Sequence, residues 1–241
     1  MALPFSIVIP TYNEAGGIER LLRALNATFT QHGLDGEIIV VDDNSPDGSG
    51  DIVERLGREL PVRCLHRSGK LGLSSAVIDG WAQARPSSVA LGAMDADFSH
   101  DVNALPPMVA ALASGKYGLA IGSRYVRGGG IANWPKRRII VSRVACWLAR
   151  PLTPLKDVTS GFFLVLRSAL TGVTLDPIGF KIGLEVIAKA HYGKAVEVPY
   201  VFTDRVAGES KLNEREIFNY IRQLKRLYRA RFMGRGAREG T

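Results

Sequence analysis

The chain is poor in sulfur and in histidine. Its 241 residues hold two cysteines, Cys64 and Cys146, and four histidines, His32, His66, His100 and His191. Both cysteines sit in apolar surroundings and read as reduced core thiols, which excludes a disulfide framework. The scattered histidines lack metal-ligand spacing, which excludes a zinc site. No Gly-x-Gly-x-x-Gly follows the first strand and there is no Walker A lysine motif, so dinucleotide oxidoreduction and P-loop phosphoryl transfer lose support. No Gly-x-Ser-x-Gly elbow is present to carry a serine nucleophile. Aromatics make up 8% of the chain and are not interleaved with cations as in a base-stacking platform, so a nucleic-acid partner is not expected. No stretch approaches 18 uninterrupted apolar residues, and no charged-then-apolar leader opens the chain. The expectation is a protein without a membrane span, in a reducing, cytoplasmic compartment.

What is abundant is apolar residue, 46%, and positive charge, with 31 Lys and Arg against 23 Asp and Glu. The first bounds a real core. The net charge of +8 asks for an anionic partner: nucleotide, nucleic acid or anionic membrane. Buried strands are expected at 5–9, 37–41, 62–65, 89–93 and 119–121. Between them lie helical faces, the first marked by Ile18, Leu21, Leu22, Leu25 and Phe29. Strands alternating with helices imply a mostly parallel sheet covered on both faces. Ser74 or Ser75 is expected to cap the helix carrying Val77, Ile78 and Trp81. Further on, Gly128 opens a loop, 139–148 and 182–190 read as helices, and 162–166 and 195–201 as strands. A last helix follows Leu212 and ends in a basic tail.

Open α/β sheets bind ligands outside the carboxyl ends of their strands, and three such ends carry acids. After the strand 89–93 comes Met94-Asp95-Ala96-Asp97-Phe98-Ser99-His100. Hard cations take oxygen ligands, often one or two carboxylates plus substrate phosphates, so Asp95 and Asp97 suggest a metal-bridged diphosphate. The alternative for Asp97 is the cap of the next helix. After the first strand, Pro10-Thr11-Tyr12-Asn13-Glu14 offers Glu14 to a base or ribose edge, or else forms a strand-to-helix turn. After the second, Asp42-Asp43-Asn44-Ser45-Pro46-Asp47-Gly48 offers Asp43 to a ribose or base, with Asp47 expected to be structural. Cations that suit phosphate include Arg124 after the fifth strand, Arg138, and Arg205 and Lys211 in a polar, glycine-containing loop. Asn133-Trp134-Pro135 leads into 139–148, where arginines accompany an apolar helix. The last helix repeats this with the stripe Ile217, Ile221, Leu224 and Tyr228 beside Arg222, Lys225, Arg226, Arg229 and Arg231. Both suit an anionic membrane surface, with packing on the core as the alternative.

Ile-Pro-Thr-Tyr-Asn-Glu, Asp-Asp-Asn-Ser-Pro-Asp-Gly, Gly-Leu-Ser-Ser-Ala-Val, Asp-Ala-Asp-Phe-Ser-His, Gly-Ser-Arg-Tyr-Val, Ser-Gly-Phe-Phe and Gly-Glu-Ser-Lys-Leu occur in that order over residues 5–213. The series resembles the dolichol-phosphate (polyprenol-phosphate) mannosyltransferases among the inverting family 2 glycosyltransferases. Asn133-Trp134-Pro135, Asp176-Pro177-Ile178-Gly179-Phe180-Lys181 and the run ending at Lys211 look most specific to that branch. The resemblance implies a GT-A fold with a Rossmann-like nucleotide-sugar half, 1–125, and an acceptor half, 126–213, in one catalytic domain. The basic amphipathic helix and tail, 214–241, follow. It implies transfer of mannose from GDP-mannose to a polyprenyl or dolichyl phosphate. Another nucleotide sugar such as UDP-glucose, another acceptor, or a non-catalytic nucleotide-sugar-binding subunit are the alternatives. By resemblance Pro10, Tyr12, Glu14, Val41 and Asp43 surround the nucleotide, and Asp95, Ala96 and Asp97 bind the metal-diphosphate. Ser99 stands at a further metal position for Mg²⁺ or Mn²⁺. Arg124, Arg205 and Lys211 contact phosphates, with Asp95, Asp97 and Arg124 closest to catalysis, and Arg124, Arg138 and Ser142 hold the acceptor phosphate. Many relatives continue into transmembrane helices and this chain does not. It therefore resembles the members that are peripheral on the inner face of a membrane, alone or with an anchoring partner subunit, or else a catalytic domain cut from a longer protein.

Overall fold

The computed structural model describes residues 2–203 and 214–236. The first apolar runs form β1 (Phe5–Thr11), β2 (Gly36–Asp42), β3 (Val62–His66), β4 (Ala90–Ala93) and β5 (Leu119–Ser123). Between them run α1 (Ile18–His32), α2 (Ser49–Leu56), α3 (Leu73–Ala82) and α4 (Leu105–Ala113). The remainder gives β6 (Gly130–Ala132), α5 (Lys136–Leu148), β7 (Phe163–Leu166), α6 (Ile182–Lys189), β8 (Ala195–Pro199), β9 (Val201–Thr203) and α7 (Glu214–Gly236). Side chains alternate across β1. Phe5, Ile7 and Ile9 join the core under α1, α2 and α4, while Val8 joins Ile39, Val41 and the residues of α3 on the other face. Helix α1 stops where Gly33 turns left-handed, φ 58°, and its N–H closes on the carbonyls of Phe29 and Thr30.

The main sheet has seven strands in the order β3-β2-β1-β4-β7-β5-β8. Strands β1, β2, β3 and β4 are parallel, as are β5 and β8, and β7 runs antiparallel between β4 and β5. The carboxyl ends of the six parallel strands therefore share one edge, and β7 begins at that edge. Strand order reverses between β1 and β4, which opens a ligand crevice there. The expected mostly parallel sheet between helices is what forms.

Three local expectations need correction. Residues 195–201 do not make one strand. The chain breaks at Tyr200, whose hydroxyl meets His100, so β8 stays in the main sheet and β9 pairs with β6. The segment opened by Gly128 thus contains a short strand as well as a loop. Neither Ser74 nor Ser75 caps α3. Gly72 holds that position, and the Ser75 hydroxyl bonds back to the carbonyls of Leu71 and Gly72. Nor is Asp97 a helix cap, since Asp101 accepts from Asn103 N–H at the next helical turn.

Candidate active site

The loops that follow β1 and β2 are tied together by polar contacts. Asp42 accepts from Ser45 N–H, the Ser45 hydroxyl accepts from Asn13 N–H, and the Ser49 hydroxyl accepts from Glu14 N–H. Asp47 accepts from the N–H groups of Ala15 and Ser49, a structural role. Asn13 and Asn44 both sit at φ 58°, a left-handed turn that asparagine tolerates and that directs each loop over the strand ends. Tyr12 carries the Lys70 ammonium over its ring at 4.1 Å. Val41 is fully buried against Gly80 of α3, so what it can present to a ligand is main chain.

Asp43 is buried and already engaged. Its Oδ1 accepts from Arg67 Nε at 2.6 Å, and its Oδ2 accepts from Gly72 N–H at 3.1 Å. Arg67 also reaches Ser75, Asp79 and the Gly72 carbonyl. This arginine was missed from the sequence. Its signal was its place directly after β3, at the same sheet edge as Asp43.

At the end of β4, Asp95 and Asp97 face a cavity of about 250 Å³. Ser99 donates both its hydroxyl and its N–H to Asp97 Oδ1. Phe98 between them holds φ 57°, costly for a bulky residue, and Arg20 stacks on its ring at 4.2 Å. Asp95 Oδ2 lies 3.2 Å from His100 Nε2, and the other ring nitrogen of His100 is 2.8 Å from Tyr200 Oη. His100 is buried among Phe162, Tyr200 and Phe202, and it fixes Asp95 in a way that its isolation in the sequence did not reveal. A Cβ on Gly161 would stand 3.0 Å from the Asp95 carboxylate, so a larger residue where the chain enters β7 would have to displace that carboxylate by a few tenths of an ångström.

The same cavity brings together Arg124, Arg138 and Ser142 of the predicted set. Arg124 is 7% exposed and is clamped by Asp157. Its Nε donates to Asp157 Oδ2 at 2.7 Å, its Nη2 to Oδ1 at 2.6 Å and to Thr159 Oγ1 at 2.8 Å. Burial disfavours the guanidinium charge, but the hydrogen bonds and charge of Asp157 outweigh it, and the pKa of Arg124 is raised. Arg138 lies over the Trp134 ring at 3.9 Å, and Ser142 Oγ is 3.4 Å from Thr159 Oγ1. Lys181, just before α6, donates from Nζ to the Thr159 carbonyl at 3.1 Å. Burial, then the charge of Arg124, push its pKa down to about 8 against the opposing pull of Asp95 and Asp157. Asp157, Thr159 and Lys181 were not chosen from the sequence. They lie before β7 and after it, and the antiparallel placement of β7 brings them to the acids. Arg205 and Lys211 lie outside the described residues.

Toward solvent the cavity becomes apolar, walled by Val141, Val144 and Leu148 of α5 and by Ile217, Tyr220 and Ile221 of α7. The expected stripe on α7 splits. Leu224 is buried with Tyr220 and Leu227, whereas Ile217 and Ile221 are 43% and 53% exposed. The helix is rotated so that Tyr220, Leu224 and Leu227, spaced by four and three, meet the core. On α5, Ile140, Val144 and Trp147 are exposed by 62%, 49% and 70%. No helix of the described residues is long and apolar enough to cross a membrane. Both thiols are free, and burial raises the pKa of each, that of Cys64 to about 12.

The profile of "Glycosyl transferase family 2" matches residues 6–173. A dolichol-phosphate mannosyltransferase of Pyrococcus furiosus is 42% identical over 92% of this chain, which spans 63% of that protein's length. The enzyme of the same name from Saccharomyces cerevisiae is 37% identical over 96% of this chain and 90% of its own. Among solved structures, glucosyl-3-phosphoglycerate synthase from Mycobacterium tuberculosis, in complex with Mn²⁺, uridine diphosphate and glucosyl-3-phosphoglycerate, superposes with a TM-score of 0.67. The two are 19% identical, with 95% of this chain and 79% of that one covered. At that identity the likeness shows a shared GT-A-like fold. Fold and sequence agree: the chain belongs to glycosyl transferase family 2 and, within it, groups with the dolichol-phosphate mannosyltransferases.

Proposed function

We propose that the chain transfers mannose from GDP-mannose to the phosphate of a polyprenol of the dolichol type, with inversion at the sugar carbon. The observation that carries the reading is one cavity with three chemically distinct stretches: the Asp95–Asp97 acids, the cations Arg124 and Arg138, and an apolar mouth between α5 and α7. A lipid phosphate accepting sugar from a nucleotide diphosphate requires those three stretches together. The names of the P. furiosus and S. cerevisiae relatives support mannose as the sugar and dolichol phosphate as the acceptor.

Pro10, Tyr12, Glu14, Asp43 and the main chain at Val41 would border the nucleotide in the crevice beyond β1 and β2. An acceptor phosphate monoester, with a second pKa of about 6, is largely ionised at neutral pH. Its oxygen attacks the sugar carbon, the bond from that carbon to the diphosphate oxygen breaks, and the nucleoside diphosphate departs with the electron pair. No enzymic base is needed to make the nucleophile. Arg124, held in orientation by Asp157, together with Arg138 and Ser142, would align the anion and offset repulsion between the two phosphate groups.

Among the described residues no cluster of three His, Cys, Asp or Glu side chains can hold an ion by itself. Two carboxylates and the Ser99 hydroxyl are nevertheless an all-oxygen set, which fits a hard cation completed by diphosphate and water. Asp95, Asp97 and Ser99 would hold Mg²⁺ or Mn²⁺, and the Mn²⁺ in the M. tuberculosis synthase complex supports a divalent ion as the cofactor. Such an ion supplies positive charge to the departing diphosphate. The direct test is a donor screen with polyprenyl phosphate and either ion, following sugar in the lipid fraction. GDP-mannose is expected to exceed UDP-glucose by at least tenfold, and equal or reversed use would reassign the donor.

The exposed residues Ile140, Val144 and Trp147 of α5 lie beside Arg143, Arg150 and Lys156, which border a second surface hollow with no acid in its lining. A polyprenyl tail does not leave the bilayer cheaply, so we place this face of α5 on an anionic leaflet. Flotation of the purified chain should succeed with anionic vesicles, fail with neutral ones and weaken in 1 M salt, where the Debye length falls to about 3 Å. Indifference to anionic vesicles at low salt would overturn the placement of α5 and leave attachment to a membrane segment outside this sequence or to a partner subunit.

A further inference from the structure

Thr159 is the point where the acceptor end of the cavity converges. Its hydroxyl accepts from Arg124 and lies 3.4 Å from the Ser142 hydroxyl, and its carbonyl accepts from Lys181. Three of the side chains that meet around this residue, those of Arg124, Ser142 and Lys181, line the cavity, and Asp157 and Cys146 touch its hydroxyl as well. Two of them already belong to the proposed phosphate site. The third is the unusual one. An ammonium carries three donors, and among the described residues Lys181 places one of them, on a neutral carbonyl. A half-buried lysine lining a cavity is costly to keep charged unless an anion joins it. The lowered pKa, about 8, expresses that cost. Arg124 cannot supply the missing positive charge alone, because Asp157 balances it with two hydrogen bonds to the guanidinium.

We propose that Lys181 binds the acceptor phosphate directly, as the cation that completes the site of Arg124, Arg138 and Ser142. The assignment rests on the acceptor reading above. It gives a partner to the N–H donors of Lys181 that make no hydrogen bond among the described residues, where the ammonium otherwise faces the Phe180 ring at 4.3 Å, and it places a point charge without a fixed fork where a phosphate oxygen must turn toward the sugar. The alternative is a structural clamp, in which Lys181 only ties the start of α6 to Thr159.

Binding separates the two without requiring turnover. The wild-type chain, Lys181→Met and Lys181→Arg are titrated calorimetrically with farnesyl phosphate, with farnesol and with GDP. Lys181→Met is expected to weaken farnesyl phosphate about 10- to 100-fold, the range for losing a hydrogen bond to a charged group. Farnesol and GDP should stay within threefold, and Lys181→Arg should recover part of the phosphate affinity. Unchanged farnesyl phosphate binding in Lys181→Met overturns the proposal. So does an equal loss for farnesol, which would mark a collapsed cavity and hence a clamp. Wild type that binds neither lipid defeats the acceptor reading and this assignment together. Wild type that binds farnesyl phosphate yet uses no GDP-mannose defeats only the donor, and the Lys181 comparison still decides.

Discussion

An Asp97→Asn chain is expected to lose at least a thousandfold in transfer while melting within about 2 °C of wild type. The substitution separates charge from shape. Asp97 Oδ1 accepts from the N–H and hydroxyl of Ser99, and an asparagine oxygen can accept the same two bonds, so the turn through Phe98 should persist. What asparagine cannot supply is the negative charge that a divalent ion requires of its ligand. An ion that neutralises a departing diphosphate is worth several kcal/mol, and about 4 kcal/mol corresponds to a thousandfold in rate. Chelation of the wild type should remove activity to the same extent, and added Mg²⁺ or Mn²⁺ should restore it in wild type and not in the variant. Turnover that survives complete chelation, or an Asp97→Asn chain with full activity, would sink the assignment.

The acids were legible because a short apolar strand followed at once by carboxylates is a local pattern, and the chain needs no tertiary knowledge to display it. The same holds for the five parallel strands of the first half, whose helices announce themselves by period. The position of β7 was not legible. Phe163–Leu166 is an apolar run that fits either strand direction, and only packing decides that it runs antiparallel between β4 and β5. Everything that β7 delivers was therefore hidden: Gly161 against Asp95, Asp157 against Arg124, and Thr159 between two hydroxyl and ammonium partners. Arg67 was hidden for a related reason. It meets Asp43 across 24 residues, and charge pairing at that distance leaves no periodic trace. The stripe on α7 shows the converse limit. Its hydrophobic spacing is helical, but the helix carries two apolar faces, and the one that meets the core is that of Tyr220, Leu224 and Leu227, where Tyr220 also donates to the Ala145 carbonyl.

Asp157→Ala should be the most destabilising single change near the site. The residue is fully buried, and Arg124 beside it is 7% exposed, so the alanine chain must hold a guanidinium in the interior with its two shortest side-chain bonds gone. The backbone N–H of Arg124, which also donates to Asp157 at 2.9 Å, loses its partner as well. Breaking a buried pair on one side costs about 3–5 kcal/mol, because the remaining charge is uncompensated. For a domain of this size each kcal/mol moves the melting temperature by roughly 2–4 °C, so a fall on the order of 10 °C is expected. Asp157→Asn should cost less, since its amide keeps one acceptor for the guanidinium. Pairing Asp157→Leu with Arg124→Met should return much of the loss, because two apolar groups leave no buried charge, yet the double variant should remain inactive for want of the oriented cation. That combination distinguishes a pair kept for function from one kept for stability. Near-wild-type melting of Asp157→Ala would show that water reaches Arg124 and that the clamp contributes little. A stable and active double variant would remove Arg124 from the phosphate site altogether.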